Sequence, residues 1–326
     1  MREIAFIKLN KEKWLQFEKA IKQKKTDNPD ELARLYLHLI NDLAYAQTYY
    51  KKSKLIVYLN DLAVKVFQRI YQTKRQESNH FLYFFKTEIP LLLYTYKRYM
   101  LYAFVVFGLS VLIGVISAMH EDSFVRLILG DDYVNTTLKN IENGNPTAIY
   151  KGGSNWGSFI GITFNNLKVG LTSFAFGISG GIGTGYVLLQ NGIMLGAFQY
   201  FFEQQGVFWK SVKGIWIHGA MEIFAIVIEG AAGFILGASI LFPKTHTRLN
   251  SFKTGLRNSI KIVISTFPFT IAAGFLEGFI TRYANDMPIL LALCIILGTL
   301  SLISYYYLVY PFIVHKKIHT EIGLKK

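Results

Sequence analysis

Residues 99–119 read YMLYAFVVFGLSVLIGVISAM and contain no charged residue. A bilayer-crossing α-helix needs roughly 20 mostly apolar residues. Backbone polar groups in hydrocarbon must be satisfied within the chain, which favours helices here. This stretch sets the fold class, an all-α polytopic membrane protein. Four comparable runs follow at 166–189, 215–241, 259–281 and 288–310, and a shorter one lies at 193–202. The composition agrees: 52% of the 326 residues are hydrophobic and only 17% are charged. Soluble domains average about 25% charged. Disorder is excluded for a chain this apolar and aromatic. A single cysteine, Cys294, excludes a disulfide framework and a cysteine-rich zinc site.

Upstream of this stretch the composition changes. Residues 1–98 hold 19 of the 35 Lys+Arg and 10 of the 21 Asp+Glu, a local net of +9; the remainder nets +5. Together they make the formal net charge of +14. In a chain this apolar, such a charge points to an anionic membrane surface and not to nucleic acid. The opening MREIAFIKLNKEKW meets a charge cluster before any apolar core could form, so no cleavable signal is expected. Residues 1–98 are read as a basic, helical cytosolic and interfacial domain. Asn28-Pro29-Asp30-Glu31 is a helix start. Behind it Leu32, Leu35, Tyr36, Leu39, Leu43 and Ala46 recur at helical spacing. A second periodic stretch spans 55–71. A third, 81–96, carries Phe81, Tyr83, Phe84 and Phe85 where an aromatic belt is expected.

Loop charges orient the remainder. The segment 120–164 nets −2, whereas 242–262 has five basic residues and no acid, and the tail 315–326 has four Lys against one Glu. Basic loops stay cytoplasmic. Both termini are then inside, 120–164 is outside, and the bundle occupies 99–314. Termini on one side require an even number of crossings. Five strong runs give the wrong parity, so the short 191–202 element must cross too. About six transmembrane helices result. The bundle is rich in closely spaced glycines: Gly177, Gly181 and Gly185, then Gly192/Gly196, Gly233/Gly237 and Gly274/Gly278. Small residues at this spacing let helix backbones approach. They suit packing inside the bundle, and a homo-oligomer is also open.

Ionisable groups inside spans are costly and seldom face lipid. His218 and Glu222 are four residues apart, Glu229 follows seven later, and all three fall on one helical face. Glu277 lies at a similar depth on the next span. Asn165, Asn166 and Asn191 add amides near helix ends. Three readings are open: hydrogen bonds that hold helices in register, a proton or ion path, or a divalent metal on His218, Glu222 and Glu277. No HExxH pattern is present, so a zincin site is excluded. We expect His218, Glu222 and Glu277 to meet inside the bundle with one of the three Asn residues nearby.

The combination is similar to the stage II sporulation protein M family. It consists of Asn165-Asn166 leading a Gly-rich span, Asn191-Gly192 with Leu195-Gly196, and His218-Gly219-x-x-Glu222. Ala231-Ala232-Gly233 with Gly237, Arg248 in the basic loop, and Ala272-Ala273 with Glu277 complete it. The resemblance extends to the YLNDLA stretch at 58–63. Glu229 and Phe67 depart from the pattern, which would place a small or apolar residue and a His there. The resemblance implies a multi-pass protein of the bacterial cytoplasmic membrane. It also implies a non-enzymatic scaffold with protein partners, organising an envelope (peptidoglycan) remodelling or MoxR-type ATPase-linked complex. The rival reading is an intramembrane transporter or metal-dependent enzyme centred on His218, Glu222 and Glu277.

Overall fold

The computed structural model describes residues 1–22, 29–71, 79–146, 148, 152–284 and 286–321. Every regular element among them is helical. The chain divides into two compact units, Met1–Ser78 and Asn79–Lys326.

The first unit holds α1 (Glu3–Lys22), α2 (Pro29–Tyr49) and α3 (Lys54–Tyr71). Pro29 opens α2; Asn28 and the side chains of Leu32 and Leu35 lie outside the described residues. The periodic apolar positions Leu39, Leu43 and Ala46 of α2 meet Leu59, Leu62 and Val66 of α3 in one core. Against them α1, which the periodicity did not single out, buries Phe6, Trp14 and Phe17. The one polar atom of the Trp14 ring is satisfied: Nε1 donates to Asp42 Oδ2 at 2.9 Å. Lys13 pairs with the same carboxylate at 2.6 Å.

The second unit begins with α4 (His80–Tyr83), a π-helical turn (Phe84–Glu88) and α5 (Ile89–Thr95). These pack on the C-terminal helices: Tyr306 donates to the Phe85 carbonyl at 2.9 Å, and Lys261 pairs with Glu88. Then come α6 (Lys97–His120), α7 (Asp122–Leu129), α8 (Asp131–Glu142), α9 (Asn155–Ala175) and α10 (Ile182–Gln204). The chain closes with α11 (Phe208–Leu241), α12 (Arg248–Phe275), α13 (Ile289–Ser304), a π-helical turn (Tyr305–Val309) and α14 (Tyr310–Glu321). Four stretches are long and apolar enough to cross a membrane: Lys97–His120, Phe208–Leu241, Arg248–Tyr283 and Ile289–Ile318. Helix α11 is the axis. It buries residues around most of its circumference, as a helix surrounded by other helices must.

The run 166–189 is not one helix, which corrects the span drawn there. The chain leaves α-helical geometry at Phe176, passes through a 3₁₀ turn (Phe176–Ser179), and reverses at Gly180 and Gly181. Both glycines have left-handed φ, +76° and +91°, a region that a side chain makes costly. Gly177, Gly181 and Gly185 therefore do not share a helix face. Gly177 meets the Gly233 backbone, Gly181 caps α10, and Gly185 only touches Phe234. The segment 191–202 is likewise not a separate element but the second half of α10.

The other glycines sit at helix contacts. On α10, Gly192 and Gly196 face the backbone of α6 near Phe107, Ser110 and Val111. Gly237 of α11 faces the Gly180-Gly181 turn, and Gly274 and Gly278 face Thr163 and Phe159 of α9. These pairings fix relative directions. Along α9 and α11, Asn166 pairs with Glu222, Gly170 with Glu229 and Gly177 with Gly233, so the two run parallel. Along α10 and α11, Thr184 pairs with Gly233 and Leu188 with Gly230, so these run antiparallel.

Candidate metal centre in a polar cavity

Near the end of the bundle bearing the starts of α9 and α11 lies a cavity of about 670 Å³. Its walls come from α6, α9, α10 and α11, and α7–α8 supply Ile128, Leu129 and Tyr133. Its polar lining is His218, Glu222, Glu277, Asn165, Asn166 and Asn191. Thus α11 contributes two ionisable groups one turn apart, and the end of α12 contributes the third.

Glu277 sits within a local irregularity. Residues Leu276–Ile280 form a π-helical turn at the end of α12. Such a turn inserts a residue into the helical repeat, re-aims the side chains beyond it, and is frequent at functional sites. Glu277 Oε2 lies 3.5 Å from His218 Nε2. One ligand atom each from His218, Glu222 and Glu277 all lie within 4.8 Å of one another. The groups around them orient them. The other imidazole nitrogen, Nδ1, is 2.9 Å from the Thr281 hydroxyl, which is itself fully buried. The Asn166 carboxamide donates to Glu222 Oε1.

The remaining expected residues are placed elsewhere or differently. Asn165 is on the cavity wall and exposed. Asn191 also lines the cavity, and its amide donates to the Val187 carbonyl one turn earlier at 2.8 Å. Glu229 is not part of the cluster. Seven residues beyond Glu222 is a rise of roughly 10.5 Å along α11. There Glu229 is buried against Gly170 and accepts from the Thr266 hydroxyl at 2.6 Å. A Cβ at Gly170 would overlap the carboxylate as placed, so a side chain there would displace the end of Glu229. Thr281 was missed in the sequence. The only trace was its place four residues after Glu277, and a threonine near a helix end draws no attention without its partner.

Two carboxylates and a neutral imidazole give the cluster a charge of −2 when both acids are ionised. At an effective dielectric of about 20, two like charges no more than 4.8 Å apart repel by roughly 3.5 kcal/mol or more. A bound dication removes that repulsion. The donor set is one imidazole nitrogen and carboxylate oxygens, suited to zinc, manganese or iron(II). Were these three to hold a cation, coordination positions would be left open to the cavity, as in catalytic sites and unlike closed structural ones.

These features define a helical membrane protein with a polar cavity inside its bundle. A profile of the Stage II sporulation protein M family matches residues 103–282, more than half of the chain, and the protein belongs to that family. The match takes in all three clustered residues. Residues 4–72 match a second family, described as Domain of unknown function (DUF8413). No curated protein matches the chain, and no solved structure matches it.

Proposed function

We propose that the protein is a metal-dependent membrane protein. Its working centre is a divalent cation held by His218, Glu222 and Glu277, acting on a ligand admitted from the cavity. The convergence of those three side chains from α11 and α12 carries this reading. Thr281 and Asn166 support it as the outer groups that orient first ligands in metal sites. A bound dication would act there as a Lewis acid on an oxygen of the ligand. A fixed centre is favoured over a through-path, because the bundle beyond it is packed shut. Glu229 fills the space beside Gly170, Gly177 meets Gly233, and the Thr184 hydroxyl donates to the Ser173 carbonyl at 2.7 Å.

We also propose six crossings, with both termini on the cytoplasmic side of the bacterial inner membrane. The support is directional. Helices α9 and α10 run alongside α11, one parallel and one antiparallel, joined by the turn at Gly180-Gly181 beside Leu241. Their polar residues, including Asn165, Asn166, Lys168, Gln190 and Asn191, lower their apolarity below that of the other four stretches. Most of these face the cavity or helix contacts. The basic segment 242–262 places the Leu241 end inside.

The scaffold reading, for a peptidoglycan-remodelling or MoxR-linked complex, has one favouring observation. Met1–Ser78 is a compact unit with its own core, suited to docking a protein partner.

Elemental analysis of protein purified without chelators decides between them. The metal reading expects roughly one first-row divalent ion per chain, lost in Glu277→Gln and in His218→Ala. If the wild type carries none and takes up neither Zn²⁺ nor Mn²⁺ on titration, the metal reading is wrong and the scaffold reading stands.

A further inference from the structure

Of the twenty residues lining the cavity, the exposed ones are Gly161, Asn165 and Met194. All three lie on the facing sides of α9 and α10. These helices are pinned together near their connecting turn, where Thr184 bonds to Ser173. Away from the turn they part company. Gly192 and Gly196 hold α10 against α6, while Gly170 and Thr163 hold α9 against α11 and α12. The pair therefore splays into a gap whose floor is the His218–Glu222–Glu277 cluster. The far end is covered by Ile128, Leu129 and Tyr133, and the Tyr133 ring lies 6.1 Å from that of Phe198 on α10. Helices α7 and α8 are held as one cap by Arg126, which donates to Asp131 and to Asn135 at 2.9 Å each. The open side thus faces laterally, between two helices, which is toward lipid in the six-crossing topology proposed above.

Resting on the metal reading above, we infer that this gap is a lateral entrance for a bilayer amphiphile with an oxyanion head, a phosphate ester in chemical class. The head oxygen completes the coordination of a cation on His218, Glu222 and Glu277. Oxygen anions are the ligands that a hard nitrogen and oxygen centre with open positions accepts. The tail lies along Phe107, Val169, Leu195, Phe198, Ile223 and Ile226, which form the apolar walls. A cavity of about 670 Å³ falls within the roughly 300–1,000 Å³ typical of small-molecule sites. A water-soluble anion would leave those apolar walls unfilled. An uncharged lipid would leave the polar floor without a partner.

The test uses the full-length protein in detergent, with metal content measured by elemental analysis. Binding of dioctanoyl phosphatidic acid, dioctanoylglycerol and inorganic phosphate is followed by calorimetry. The metal-loaded wild type should bind the phosphatidic acid, and both comparison ligands should bind at least about ten-fold more weakly. Gly161→Trp and Met194→Trp should keep the metal and lose phosphatidic acid. A Cβ added at Gly161 meets nothing within 4 Å, so the backbone there has room for a side chain to start, and Met194 provides an independent plug. Glu277→Gln should lose both metal and lipid. The inference is overturned if inorganic phosphate binds as tightly as the lipid, which would make the site one for a free anion. It is also overturned if both Trp variants bind the lipid as the wild type does. Metal present with no uptake of phosphatidic acid overturns the inference alone. Metal absent from the wild type overturns the metal centre first and this inference with it.

Discussion

Nδ1 of His218 and the hydroxyl of Thr281 are 2.9 Å apart, across the contact between α11 and the 3₁₀ turn Thr281–Tyr283. That bond leaves Nε2 as the nitrogen pointing at Glu277. For Nε2 to ligate a cation through its lone pair, Nδ1 must carry the proton and donate it to the Thr281 oxygen. Thr281→Val removes the acceptor while nearly preserving volume. Metal affinity should fall by about 10–100-fold, and Thr281→Ser should restore most of it. Equal affinities across the three proteins, read by competition with a metal indicator, would show that the hydroxyl does not orient the ligand.

Asn166 offers a graded comparison. Its amide donates to one oxygen of Glu222, leaving the other for a cation. Asn166→Ala should weaken metal binding without abolishing it, whereas Glu222→Gln should abolish it. A loss on Asn166→Ala as complete as that on Glu222→Gln would make Asn166 a ligand and not a support.

The turn at Gly180-Gly181 makes the topology testable. In a Cys294→Ala background, Ile178→Cys and His246→Cys should react with a membrane-impermeant thiol reagent only after the inner face is opened. Asn143→Cys and Glu203→Cys should react on intact cells. All four positions are exposed. Reaction of Ile178→Cys from outside would remove α9 and α10 from the count of crossings.

Glycine contacts separate into tight and open ones. A Cβ on Gly233 would overlap the Thr184 side chain and press on the Ser173 carbonyl, whereas one on Gly298 meets nothing. Gly233→Val should destabilise the bundle by about 1–3 kcal/mol or more through overpacking. Gly298→Ala should be neutral or slightly stabilising. Thermal unfolding in detergent reads both, and similar midpoints for the two variants would contradict the packing described for α9, α10 and α11.

In the first unit, Asp42 accepts from Trp14 and pairs with Lys13. Asp42→Ala leaves the indole N–H without its partner, at a cost of about 1–3 kcal/mol. Amides of α1 should exchange faster in the full-length protein, by about ten-fold for each 1.4 kcal/mol. Unchanged protection in α1 would mean that Asp42 contributes nothing to holding it.

The sequence by itself determined the fold class, because an uncharged stretch such as 99–119 has one stable form in a bilayer. It also determined that His218 and Glu222 share a helix face, because a step of four residues brings side chains together in any α-helix. Tertiary structure decided the rest. Whether Glu277 joined them depended on how the end of α12 packs, with Gly274 and Gly278 against α9, and that packing carries no periodic signal. The same seven-residue step that aligned Glu229 in projection separated it in height, and only its neighbours Gly170 and Thr266 reveal where it settled. The reversal at Gly180-Gly181 is equally local: glycine permits both helical and left-handed backbone. The choice was made by contacts with Phe234, Gly237 and Leu241, residues more than fifty positions away that periodicity cannot bring into view.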